Sequence, residues 1–163
     1  MYKKEITYTD FLEEEHTETC WFNLSEADML DLQLAPKQGL QEYMAEVMED
    51  LDNHREEVLN FIKKLILKAY GVRREIGGKV LFTKTDDDKL LFQYGGAFDA
   101  VYTEFLKNPN EIYAFIQGAS PKRYRDSFDE AQSSGKLPSI EQIETNPQQA
   151  LEIIKSNAEN SNS

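Results

Sequence analysis

The sequence contains one cysteine, Cys20, and two histidines, His16 and His54. A single cysteine excludes an internal disulfide framework, and an unpaired thiol fits a reducing cytosol better than secretion. Histidine is the usual proton shuttle and metal ligand. Neither histidine stands at zinc-ligand spacing from Cys20. Glycine is sparse, at eight residues, which speaks against an all-β sandwich or barrel. Apolar runs are short: none approaches the roughly 20 residues that span a bilayer, and residues 1–10 hold no signal-peptide core. Basic residues are the minority, 18 against 30 acidic, giving a formal charge of −12. That surface repels nucleic acid and anionic lipid. The expectation is a cytoplasmic protein with neither nucleic acid nor membrane as a partner.

What is present is a 163-residue chain with a hydrophobic fraction of 40%, enough for one domain with a true core. Residues 4–11 are rich in β-formers (Ile6, Thr7, Tyr8, Thr9, Phe11), and so are residues 16–24. With the acidic run Glu13, Glu14, Glu15 between them, they read as an antiparallel hairpin. Strand alternation puts Cys20, Phe22 and Leu24 on one face and Thr19 and Trp21 on the other. Ser25 then opens a helix bearing Met29, Leu30, Leu32 and Leu34, which Pro36 closes. Residues 39–50 place Leu40, Tyr43, Met44, Val47 and Met48 on one helical face.

Asn53 with Glu56 resembles a capping box for the clearest helix, residues 54–70, with Val58, Phe61, Ile62, Leu65, Ile66 and Ala69 as its stripe. Gly71 stands where a C-terminal cap belongs. Gly77-Gly78 signals the turn of a second hairpin. Thr85 and Asp86-Asp87-Asp88 begin a helix whose apolar series is Leu90, Leu91, Tyr94, Ala97, Phe98, Val101, Tyr102 and Phe105. Gly95-Gly96 lies inside that series and weakens it by about 1 kcal/mol per glycine. Asn108-Pro109 starts a last core helix, with Ile112, Phe115 and Ile116 inward and Gly118 at its end. The fold expected is therefore α+β and mainly helical. A globular domain at residues 1–121 packs an N-terminal hairpin on four to five helices. Residues 122–163 form a polar extension, flexible or ordering on a partner.

Catalytic patterns are missing. Cys20 lacks a neighbouring base and sits beside Glu18 and threonines, as a core thiol does. Asp86-Asp87-Asp88 lacks the ligand alternation of a calcium loop. Neither glycine pair belongs to a phosphate loop. The reading is a non-enzymatic protein with no cofactor and no metal. Arg73-Arg74 and the basic cluster at residues 122–125 read as solvated. The aromatic stripe Tyr94, Phe98, Tyr102 and Phe105 reads either as core or as a groove for another protein's helix, since tyrosine favours interfaces.

The order of segments carries a resemblance. Glu5-Ile6-Thr7-Tyr8-Thr9-Asp10-Phe11, Thr17-Glu18-Thr19 and Phe22-Asn23-Leu24-Ser25-Glu26-Ala27 resemble the start of tail assembly chaperones from long-tailed phages and prophages of Gram-positive bacteria. Gly39-Leu40-Gln41-Glu42-Tyr43 is similar to that family's next helix. Phe61-Ile62-Lys63-Lys64, Lys68-Ala69-Tyr70-Gly71 and Phe82-Thr83-Lys84 are similar to its middle, and Ala114-Phe115-Ile116-Gln117-Gly118 with Pro121 to its end. The likeness spans residues 5–121, departing at Gly96-Ala97-Phe98 and in the turn at residues 72–79.

The resemblance implies a protein that coats the tape-measure protein in the infected cytoplasm, keeps it soluble, helps recruit tail-tube subunits and leaves before the virion is complete. It implies partner contacts for Tyr94, Phe98, Tyr102 and Phe105, and a possible homo-oligomer. Two other interaction classes compete. One is an adaptor retained in the finished tail; the other is an acidic mimic of nucleic acid that blocks a host protein.

Overall fold

The computed structural model describes residues 1–34, 50–135, 140–146, 148–150, 152–153 and 155–156. The helix expected at residues 39–50 lies almost wholly outside them, as does Pro36. The chain falls into two compact units. One joins Met1–Ser25 to Asn60–Ser120, and the other joins Glu26–Leu59 to Pro121–Ser163.

The first unit is built on a four-stranded antiparallel sheet in the order β1-β2-β3-β4. β1 (Tyr2–Thr9) and β2 (Glu15–Phe22) pair along their full length, from Tyr2 opposite Phe22 to Thr9 opposite Glu15. The expected hairpin is thus present, but its first strand stops before Phe11. The reason is local. Asp10 Oδ1 accepts the amides of Leu12 (2.8 Å) and Glu14 (3.0 Å), and Glu13 takes a positive φ of 65°. That side-chain turn competes with the ladder and wins.

β3 (Tyr70–Ile76) and β4 (Lys79–Thr83) form the second hairpin. Gly77 and Gly78, at φ 61° and 74°, supply the positive dihedrals of a two-residue type I′ turn. The two hairpins are not separate: Trp21 pairs with Gly71 and Phe22 with Tyr70. Gly71 is therefore a strand residue, not a helix cap. A Cβ there would lie 2.6 Å from the Phe82 ring, so glycine admits the close approach.

Register assigns the faces. Ile6, Cys20 and Phe22 lie on the inner face and are buried, as is Leu24 just beyond the strand end. Trp21 takes the other face, where Lys3 and Arg73 lie over its ring at 5.4 and 5.1 Å. Phe22 is the hub of the interior. It meets Phe115 at 5.3 Å, Tyr70 and Phe92 at 5.9 Å and Tyr2 at 6.1 Å between ring centroids.

Seven helices have defined bounds among the described residues. α1 is Glu26–Leu34 and has no buried residue. α2 is Leu51–Ala69, with Leu65, Ile66 and Ala69 buried near its end. It starts before Asn53. Asp50 is the cap, its Oδ1 accepting the Asn53 amide (3.4 Å) and its carbonyl the His54 amide (3.1 Å). α3 (Asp86–Tyr94), α4 (Ala97–Lys107) and α5 (Pro109–Ala119) complete the first unit. α6 (Lys122–Ser133) and α7 (Ile140–Thr145) belong to the second.

The series expected as one helix from Leu90 to Phe105 is two helices. Gly96 has a φ of 103°, a conformation closed to a helix and open to glycine, and ends the continuity there. α5 starts as expected, with Pro109 in its first turn, but runs past Gly118 to Ala119. Gly118 is a contact point instead: a Cβ there would lie 2.8 Å from the Tyr2 ring.

Candidate partner-binding surface

The break at Gly96 decides where the aromatic stripe goes. Within α3, Phe92 is buried, stacked on Tyr70 at 3.9 Å with ring planes 6° apart. Positions on the opposite side of that helix face solvent. Leu90, Leu91 and Tyr94 are 59%, 70% and 74% exposed. The same three apolar side chains had been expected in line with the core series. In α4, which restarts with a new rotation, Ala97, Phe98, Val101 and Phe105 are buried. Tyr102 is half-buried, stacked on Phe98 at 5.8 Å, with the Lys63 ammonium 5.1 Å from its ring centre.

The four candidate residues therefore occupy different settings. Phe105 packs on Phe115 (5.1 Å), and Phe98 packs edge-on against Phe92 (5.8 Å), both in the interior. Tyr102 shows one edge. Tyr94 stands clear. A shallow groove of about 520 Å³ runs between the end of β1 and α4, lined by Tyr8, Gly96, Asp99, Thr103 and Lys107 among others.

Two polar clasps fix the elements that carry this surface, and the sequence reading found neither. Arg74 on β3 donates to both Asp88 oxygens, Nη1 to Oδ2 at 2.6 Å and Nη2 to Oδ1 at 2.5 Å, and also to the Thr83 hydroxyl. Thr85 caps α3 by accepting the Asp88 amide and donates its hydroxyl to Asp88 Oδ2 (2.6 Å). The Arg74 guanidinium, then the Thr85 hydroxyl, hold the Asp88 carboxyl well below the usual carboxylate range. Arg74 had been expected to be solvated; instead it ties α3 to the sheet.

The second clasp is Lys4, which reaches Glu104 on α4 (2.8 Å) and Glu111 on α5 (2.7 Å). Burial opposes its charge, but hydrogen bonds to both carboxylates outweigh that and raise its pKa. Tyr2 donates its hydroxyl to Glu111 as well, at 3.2 Å.

Burial, then Glu18, pushes the Cys20 thiol up to about 12, leaving no thiolate at neutral pH. Asp10, Glu14 and His16 bring ligand atoms within 4.8 Å of one another at the hairpin tip. The Asp10 carboxylate is already engaged there by two backbone amides and by His16 Nε2 at 2.8 Å. His54 lies in the first turns of α2, with Nδ1 3.3 Å from Glu57. Among the described residues no helix is long and apolar enough to cross a membrane.

The first unit is thus an antiparallel sheet packed against α3, α4 and α5, with apolar side chains displayed on α3 and charge pairs tying these helices to the strands. The sequence matches the profile of the phage tail assembly chaperone family over residues 1–162. The chain belongs to that family, and the match takes in the polar extension that the motif resemblance, ending at Pro121, had left out. No curated protein and no solved structure is significantly similar to it.

Proposed function

We propose that this protein binds the tape-measure protein in the host cytoplasm, keeps it soluble and helps bring tail-tube subunits to it. The observation that carries the reading is the exposed face of Leu90, Leu91 and Tyr94 on a helix that is itself anchored. An exposed apolar cluster on a folded protein marks an interaction site. A long, largely helical and apolar client presents faces that such a cluster covers by reversible burial.

Tyr94 and the open edge of Tyr102 make the contact; Phe98 and Phe105 support it from below. Residues 122–163 supply a second contact. The work is done by binding, without a catalytic group, and the protein departs before the virion is complete. Gram-positive hosts with long-tailed phages fit the motif order best.

The test is the double variant Leu91→Ser/Tyr94→Ser, co-expressed with the tape-measure protein of the same phage. Both positions are exposed, so the variant keeps its fold, as circular dichroism checks. Recovery of the tape measure in the soluble fraction drops at least about tenfold, corresponding to roughly 1.4 kcal/mol of lost contact. Undiminished recovery would remove this surface from the mechanism.

A further inference from the structure

β4 is the last strand of the sheet, and among the described residues no strand pairs with its outer side. Natural edge strands are guarded by proline, by charge or by a bulge. β4 reads Lys79-Val80-Leu81-Phe82-Thr83 and has one charge, at its end. Val80 and Leu81 are 61% and 42% exposed, and Ile76 beside them on β3 is exposed too.

Which backbone groups are open follows from the turn. In a two-residue hairpin the residues flanking the turn, Ile76 and Lys79, exchange both hydrogen bonds. The alternation of an antiparallel ladder then points the amides and carbonyls of Lys79, Leu81 and Thr83 toward β3. Those of Val80 and Phe82 point outward.

We propose that β4 pairs with β4 of a second copy of this chain, antiparallel and centred on Leu81. The register is self-complementary. Val80 falls opposite the partner's Phe82 as a hydrogen-bonded pair, so each open amide meets an open carbonyl. Leu81 falls opposite the partner's Leu81 on the two-fold axis as a non-hydrogen-bonded pair, the arrangement an isologous contact requires. Lys79 falls opposite the partner's Thr83.

No charge faces its like, although each chain carries −12 in total. Apolar side chains meet on both faces of the joined sheet: Val80 with Phe82 on the Trp21 face, and Leu81 with itself on the other. The charge that shares the Leu81 face, Arg74, is half-buried and is neutralised by the buried Asp88 within its own chain. A slip of one residue would set Val80 against Leu81, which lie on opposite faces, and would lose the match of open amides to open carbonyls. The contact is five residues long, which makes a weak, reversible dimer of the class below about 1,200 Å². A second copy is preferred to a foreign strand because this edge satisfies itself in both hydrogen bonds and side chains.

The experiment uses the full chain. Sedimentation velocity across roughly 1–500 μM shows a monomer–dimer equilibrium at the weak end of specific interfaces. Leu81→Cys forms a symmetric disulfide on mild oxidation, because Cα atoms of a non-hydrogen-bonded pair lie about 4.5 Å apart, within disulfide reach. Leu90→Cys, exposed on α3, does not cross-link.

Val80→Pro removes an outward amide and leaves the β3–β4 ladder whole, raising the dissociation constant at least about tenfold. Leu81→Lys, which sets two ammonium groups opposite each other, does the same should the proline variant fail to fold. Three outcomes overturn the proposal: a monomer throughout with no Leu81→Cys cross-link; a dimer indifferent to both edge variants; or β4 amides that gain exchange protection only when another protein binds.

Discussion

Phe22→Ala should be among the most damaging single substitutions in this chain. The Phe22 side chain is fully buried and touches rings from β1, β3, α3 and α5. Three of those contacts are edge-on, at 64°, 70° and 84°. Burial of a phenylalanine contributes roughly 1.5–3 kcal/mol. The void left by its ring adds a further cost, since rigid aromatic walls drawn from four elements collapse poorly.

The loss should therefore lie near the top of the range for such substitutions, about 3–5 kcal/mol. Against a total stability of about 5–15 kcal/mol, that leaves the protein marginal or unfolded at 37 °C. For a unit of this size the melting temperature falls by at least about 12 °C. Urea titration followed by Trp21 fluorescence reads it directly. Trp21 is the single tryptophan and neighbours Phe22 on the opposite face of β2. The matched control is Phe11→Ala. Phe11 is 90% exposed and should change stability by less than about 0.5 kcal/mol. Equal effects at the two positions would refute the assignment of the core and of the strand register.

Gly96→Ala should cost about 1–3 kcal/mol, because its φ of 103° is strained for alanine and a Cβ would lie 2.7 Å from the Tyr8 ring; a neutral result in thermal melts would contradict the break between α3 and α4. Acid should destabilise the protein. Asp88 and Glu111 have pKa values lowered by their partners, so the unfolded state takes up protons first as pH falls. Their contribution is complete above the ordinary carboxylate range near pH 4 and is lost below it. The urea midpoint at pH 3 should fall well below that at pH 6, and Asp88→Asn should shrink the difference. Cys20, buried and with its pKa pushed up to about 12, should resist thiol reagents at pH 8 until urea opens the core; immediate labelling of the folded protein would contradict its placement.

Much of the architecture was readable because its signals are local. Alternation placed Cys20, Phe22 and Leu24 on one face, the glycine pair at residues 77–78 marked a turn, Thr85 marked a cap and Asn108-Pro109 marked a helix start. What escaped reading depends on partners distant in sequence. Gly71 and Gly118 look like helix terminators because the same residue type ends helices and admits close neighbours; only the Phe82 and Tyr2 rings decide between the two roles.

The union of the two hairpins rests on Trp21 and Phe22 meeting Gly71 and Tyr70, a pairing without a local signature. Arg74 and Asp88 are 14 residues apart in a chain so acidic that any arginine has many candidate partners. Asp50 and Asn53 both suit a helix cap, and the Asn53 backbone amide, which donates to Asp50 Oδ1, settles the matter for Asp50. The aromatic series kept helical spacing through Gly95-Gly96. Its spacing could not show that the chain turns there, sending Tyr94 outward and Phe98 inward.

The most direct measurement is the solubility of the tape-measure protein expressed with and without this chain, followed by affinity capture of the chain. The account predicts that the tape measure is soluble only in its presence and co-purifies with it. A tape measure that stays insoluble, with no complex captured, would contradict the central claim.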